Sequence, residues 1–226
     1  MPSSSEQLQD RSWVKRAGPA FSATRPLDSL PAGPSFHSTR SSVSSFRKHV
    51  RDIVKTDELT DEDKCELLLQ AGVEWFGIEI GALSKIDLVG AVHRIVLNAG
   101  PQSKLQEGAA SNLSETYCRE TIIRGESFVL ENAEEQGWAK TPAYQKYDLS
   151  CYFGRKLIVN DRLYGTVFFG GREPKDEPLC SEDREILRLV ALLIECILEK
   201  RRRRRVPNEA KYKYELLLKA APNAII

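Results

Sequence analysis

The chain has 226 residues, with 33 Lys and Arg against 32 Asp and Glu, a formal charge of +1, and 41% hydrophobic residues. That is enough apolar material for a packed core, and the near balance of charge excludes a protein that works mainly as a polycation on nucleic acid or anionic lipid. No apolar run approaches the roughly 20 residues that a bilayer-spanning helix needs. The opening Met1-Pro2-Ser3-Ser4-Ser5 has no secretory pattern, and five cysteines without a CxxC pair fit reduced thiols, so the expected location is the cytoplasm.

Residues 1–42 hold Pro2, Pro19, Pro26, Pro31 and Pro34 among scattered serines, with Trp13, Phe21 and Phe36 isolated and no period, which predicts a disordered arm. From Val43 the spacing turns helical, with Phe46, Val50, Ile53 and Val54 on one face and Ser44 or Ser45 as the cap. Thr60-Asp61-Glu62-Asp63 reads as a capping box that opens a second helix carrying Cys65, Leu68, Leu69 and Val73, and Gly72 marks its end. Alternation then predicts a strand over Phe76–Leu83, a turn at Ser84–Asp87 and a second strand over Leu88–Leu97. A short helix from Ser114, a strand at Phe128–Leu130 and an irregular aromatic stretch from Glu131 to Lys146 follow. Two further strands, Leu149–Val159 and Arg162–Phe169, meet at Asn160-Asp161, good hairpin chemistry. Ser181 starts the longest helix, which runs to Arg205, and Lys211–Ala220 forms another.

The last hairpin is apolar on both faces. Leu163, Val167 and Phe169 alternate with Tyr164, Thr166 and Phe168, so this sheet must be covered twice. The helices supply one cover. The segment with Trp138, Tyr144 and Tyr147 supplies the other, and a pocket is expected beneath it. The helix from Ser181 likewise has two stripes. Leu187, Val190, Ile194 and Ile197 are expected to pack on the domain, leaving Ile186, Leu189 and Leu193 to meet a second copy.

The order helix, hairpin, LSETYCRETI, variable loop, PAYQKYDLSCYFGRKLIVNDRLYGTVFFGGRE and long helix resembles a GAF domain, of the type found in bacterial sensor histidine kinases. Tyr117-Cys118, Tyr152-Phe153-Gly154 and Tyr164-Gly165-Thr166 carry the resemblance, which runs from about Leu59 to Arg204. YELLLKAAPNAII, Tyr214 to Ile226, resembles the opening of a PAS domain. The chain then divides into a disordered arm (1–42), a GAF-like sensor domain with flanking helices (43–205), and a linker with the start of a truncated PAS-like module (206–226). The fold this implies is α+β, a GAF-like antiparallel sheet with terminal helices on one face and a covered small-molecule pocket on the other. The function it implies is a cytoplasmic sensory input module for signal transduction, binding a small ligand or sensing redox state and relaying it through a dimerising C-terminal helix.

The residues expected around the pocket are Tyr117, Cys118, Trp138, Tyr144, Cys151, Phe153 and Phe169. Cys118 and Cys151 invite a redox or metal reading, but cysteine often packs as a small hydrophobe, and packing is the favoured reading. Bilin attachment in the family uses Cys followed by His, which this sequence lacks, and haem needs an axial histidine, for which His93, read as a surface or packed strand residue, is the one candidate in the domain. Covalent bilin and haem are therefore not expected, and the ligand stays open. No nucleophile, base and orienter arrangement, and no GxGxxG, P-loop or HExxH motif, is visible, so no catalysis is expected from this chain. The alternatives are a methionine-sulfoxide-reductase-type enzyme and a dimerisation scaffold without ligand. The expected partners are a second copy through 181–205, a downstream signalling domain and a small molecule, with Arg201–Arg205 read as a solvated helix end rather than a nucleic-acid or membrane patch.

Overall fold

The structure, a computed structural model, describes residues 42–100 and 105–220. Apart from Ser42, the predicted arm lies outside the described residues, as do 221–226 of the PAS-like opening. The chain opens with α1 (Val43–Lys55), capped by Ser42 rather than by Ser44 or Ser45, and buries Phe46, Val50 and Ile53. α2 (Asp61–Phe76) starts with the expected capping box. Thr60 Oγ1 accepts from the Asp63 N–H, and the Asp63 carboxylate accepts from the Thr60 N–H at 2.9 Å. Thr60→Ala is therefore expected to cost about 1 kcal/mol, read as a lower urea midpoint at an unchanged slope.

α2 runs through Gly72 and stops at Phe76, where Gly77 takes the left-handed conformation (φ 58°) that ends a helix. Gly72 is small because the Phe169 ring lies against it: any Cβ there would overlap the ring. The strand expected from Phe76 consequently begins later. The sheet consists of β1 (Ile80–Asp87), β2 (Val92–Ala99), β3 (Ala110–Asn112), β4 (Ser127–Leu130), β5 (Cys151–Val159) and β6 (Arg162–Gly171). It is a six-stranded antiparallel sheet in the order β3-β2-β1-β6-β5-β4.

The first turn lies at 88–91 rather than 84–87, because the Asp87 carboxylate accepts from the Val89 and Gly90 N–H groups and Ala91 adopts φ 49°. The last turn is where it was expected, with Asn160 and Asp161 both at positive φ. A short 3₁₀ turn (Leu113–Glu115) and α3 (Tyr117–Ile123) link β3 to β4. α4 (Pro142–Tyr147) stands inside the stretch expected to be irregular, with Thr141 as its cap and Pro142 in its first turn.

The fold is α+β, as expected. On one side of the sheet, α1, α2 and the C-terminal helix cover Leu83, Phe153, Leu157, Val167 and Phe169. On the other, α3, α4 and their loops cover Ile80, Ala82, Ile86, Ile95, Tyr152 and Phe168. Strict alternation fails at two places, at Val96, where β1 pairs Leu83 with Leu97 and Ser84 with Ile95, and in the last hairpin. β5 pairs Leu157 with Gly165 and Ile158 with Leu163, so Tyr164 is a bulge. Leu163 then turns to the α3–α4 side and Tyr164 to the helix side, each opposite to the alternating expectation.

The final helix, α5 (Ser181–Ala220), is continuous over 40 residues, not two helices parted near Pro207. Interior proline is unfavourable, but Lys200–Arg205 and Glu209–Lys213 on either side of it are good helix formers. α5 packs on β5 and on α2 at once, which accounts for its wide apolar surface. Leu187, Val190, Ile194 and Ile197 are buried as expected, but Ile186, assigned to the second stripe, is also fully buried, and Leu189 and Leu193 are half-buried on the same core. Leu192 stays 51% exposed.

Candidate functional site

The face of the sheet away from the terminal helices carries a polar chain inside an aromatic shell. Cys118, in the first turn of α3, places Sγ 3.3 Å from Nε2 of His93 on β2. The other ring nitrogen, Nδ1, lies 3.4 Å from the Ser111 hydroxyl on β3, which accepts from the Tyr147 hydroxyl of α4 at 2.8 Å. From β5 the Tyr152 hydroxyl donates to Cys118 Sγ at 3.5 Å and touches Thr121 Oγ1 at 2.8 Å. Thr166 of β6 and Ser84 of β1 bond to each other at 2.7 Å beneath them. His93, Cys118 and Tyr152 are each at most 2% exposed.

The aromatic shell explains why these elements settle here. The Tyr152 ring stacks on Phe168 at 5.4 Å and meets Tyr117 at 5.3 Å and Phe128 at 5.9 Å. Trp138 closes on Phe128 at 5.1 Å and on Tyr117 at 6.0 Å, and the Arg124 guanidinium lies over both Phe128 and Trp138. Tyr152 has room because Gly154, two residues along the strand, has no side chain: a Cβ there would overlap the Tyr152 ring and hydroxyl. That is the physical content of the Tyr152-Phe153-Gly154 motif.

Electrostatics separates the three buried thiols. Burial pushes Cys65 up to about 12 and Cys151 up to about 11. Burial acts on Cys118 as well, yet its thiol is held below the ordinary range, because the His93 charge and hydrogen bonds from His93, Thr166 and Tyr152 outweigh the lost hydration. Tyr152 moves the opposite way, well above its usual value, through burial and the adjacent Cys118.

Of the seven residues expected around one pocket, the structure brings together four, Tyr117, Cys118, Trp138 and Tyr144. Cys151, Phe153 and Phe169 lie on the opposite side of the sheet, packed under the terminal helices. Their neighbours Tyr152 and Phe168 take the places assigned to them, since adjacent residues of a strand face opposite ways. His93, read as either surface or packed, is buried as the partner of Cys118, a pairing that no local pattern announces. The covered face is filled by its own side chains. A cleft of about 700 Å³ opens elsewhere, beside the end of α2 and the chain leading to α5, lined by Trp75, Glu79, Lys175, Leu179 and Asp183 among others. There Trp75 Nε1 donates to Asp183 at 3.0 Å, tying α2 to α5.

Among the described residues no cluster of three or more His, Cys, Asp or Glu side chains is placed to hold a metal ion. No helix among them is long and apolar enough to cross a membrane.

No family model matches the chain, and no curated protein matches it. Solved structures do. The GAF domain of an Acinetobacter phosphoenolpyruvate-protein phosphotransferase superimposes with a TM-score of 0.57 at 13% identity, over 74% of this chain and 96% of that one. A free methionine-R-sulfoxide reductase from Neisseria meningitidis, solved with its substrate, gives 0.58 at 14% identity over 74% and 95%. The phycocyanobilin-bound GAF domain of a cyanobacterial phytochrome gives 0.57 at 8% identity over 72% and 96%. At such identities the likeness speaks for architecture alone, and the architecture of this chain is that of a GAF domain.

Proposed function

We propose that the chain is a cytoplasmic sensory input module, of the type that precedes a PAS domain in sensor histidine kinases, responding at the Cys118 face and relaying the response through α5. The observation that carries this reading is the position of β5 between the two. On one face β5 presents Tyr152 to Cys118. From the other side α5 holds the same strand, Glu195 accepting the Ile158 N–H at 2.6 Å and Glu199 the Asn160 N–H at 3.2 Å. A displacement of Tyr152 therefore has one strand to cross before it meets the output helix. The kinase-type and PAS assignments rest on the sequence resemblance, from YELLLKAAPNAII onward for the second.

The test uses Tyr152→Phe, which removes only the hydroxyl. Amide hydrogen exchange is expected to quicken at Ile158–Asn160 and along the first turns of α5 relative to wild type. Changes confined to α3 and α4, with α5 untouched, would overturn the relay.

The same reading makes α5 the contact between two copies. Leu192, with exposed Cys196 and half-buried Leu189 and Leu193, forms the apolar face that the domain itself leaves uncovered. Leu192→Glu is expected to convert a dimer to a monomer in sedimentation without changing the circular dichroism. A wild-type chain that is monomeric at high micromolar concentration would remove the dimer from the proposal.

The likeness to the Neisseria reductase favours a second reading, reduction of free methionine sulfoxide. Against it, Cys65 and Cys151, the other buried thiols, lie on the far side of the sheet from Cys118. Turnover of free methionine sulfoxide that is lost in Cys118→Ser would establish that reading in place of the first.

A further inference from the structure

We propose that Cys118 is a modification site for hydrogen peroxide or a small organic hydroperoxide, which oxidise it to a sulfenic acid, and that this product is the signal the module reads. The inference rests on the sensory reading above and names the chemistry of its site.

The geometry supplies a nucleophile, a proton donor and an orienting chain. Sγ of Cys118 faces Nε2 of His93 at 3.3 Å, Nδ1 is held by Ser111, and Ser111 is held by Tyr147. In the reaction the sulfur lone pair attacks one peroxide oxygen, an S–O bond forms and the O–O bond breaks. The departing hydroxide, or the alkoxide of an organic hydroperoxide, takes the one proton that Cys118 and His93 share, through Nε2, and leaves as water or as an alcohol. Sulfur is oxidised by two electrons, the peroxide is reduced by two, and His93 ends neutral.

The shell sets the size of the oxidant. Cys118 and Tyr152 are closed over by Tyr147 of α4 and by the aromatic rings, so an oxidant reaches Sγ only as these side chains part, and a water-sized peroxide needs a smaller opening than a bulky electrophile. The shell also sets the fate of the product. Cys65 and Cys151 lie across the sheet, and Cys180 and Cys196 belong to the α5 side, so no described thiol shares the face with Cys118 to form a disulfide. The added oxygen must instead displace Tyr152 or the Ser111–Tyr147 bond in a face already filled, which perturbs β5.

The full chain is treated with hydrogen peroxide, and separately with N-ethylmaleimide, and each cysteine peptide is followed by mass spectrometry. Cys118 is expected to gain one oxygen about tenfold faster than exposed Cys196, while maleimide labels Cys196 first. His93→Gln, checked for native circular dichroism, is expected to slow the oxidation about tenfold. Oxidation of Cys118 no faster than Cys196 in the wild-type chain, or an unchanged rate in His93→Gln, overturns the proposal. If Cys118 resists peroxide while Tyr152→Phe still alters exchange along α5, this proposal fails and the sensory reading survives. If Cys118 is oxidised and α5 does not respond to Tyr152→Phe, the relay fails instead.

Discussion

Gly165→Ala is expected to cost at least about 3 kcal/mol and to leave little folded chain at 37 °C. Gly165 sits in β6, one of the two central strands, opposite Lys85 of β1. A Cβ built there overlaps the backbone carbonyl oxygen of Ser84, with the Lys85 Cα also in the way. A flexible side chain yields to such a contact; a hydrogen-bonded backbone at the middle of a sheet does not. β1 is fixed by β2 on one side and by the rest of β6 on the other. Gly154→Ala makes the informative comparison. Its Cβ meets the Tyr152 ring and hydroxyl, which must repack within the aromatic shell rather than move a backbone, so the cost is expected to be about 1–3 kcal/mol. The damage is local, since Tyr152 can no longer hold Cys118. Urea unfolding of both variants separates the two cases. A Gly165→Ala chain as stable as wild type would mean that the β1–β6 register is wrong.

Those two glycines also show what the sequence revealed of the fold. Tyr152-Phe153-Gly154 and Tyr164-Gly165-Thr166 were legible as motifs, as were the capping box at Thr60 and the Asn160-Asp161 hairpin, because each is a local pattern with a local cause. The two-sided strands correctly required two covers. Which side each residue faces was not legible. Period-two alternation places Phe153 opposite to Tyr152 but, in strands apolar on both faces, carries no mark of which face meets the helices. Assigning Cys151, Phe153 and Phe169 to the wrong face follows from that one missing sign. The bulge at Tyr164 is set by how β5 and β6 pair, and no residue type announces it. The same holds for α5: Ile186, assigned to the second stripe, is buried in the core of the same chain, because α5 packs on α2 and β5 at once, a tertiary fact. His93 and Cys118 stand on different elements, and only the sheet brings β2 beneath α3. A pair of this kind is visible once strand order is known, not before.

Ultraviolet titration of the Cys118 thiolate is expected to show ionisation at lower pH than an ordinary thiol of about 8.5, and His93→Gln is expected to move it upward. The groups facing Sγ are His93 from β2, Tyr152 from β5, Thr166 from β6 and, through Ser111, Tyr147 from α4. Of these only His93 brings a positive charge; the others are hydroxyls that help while they donate. Burial opposes the thiolate throughout. Without His93, burial would push Cys118 up as it does Cys151, whose thiol rises to about 11. The sign carries over to stability. A folded thiol that ionises more readily than the unfolded one contributes stability that is fully present above the unfolded value and is lost as pH falls through the folded one. The stability advantage of wild type over Cys118→Ser should therefore widen as pH is raised toward 8.5 and narrow as it is lowered. An advantage that narrows on raising the pH would mean a neutral buried thiol, with His93 as packing and the peroxide chemistry without its nucleophile.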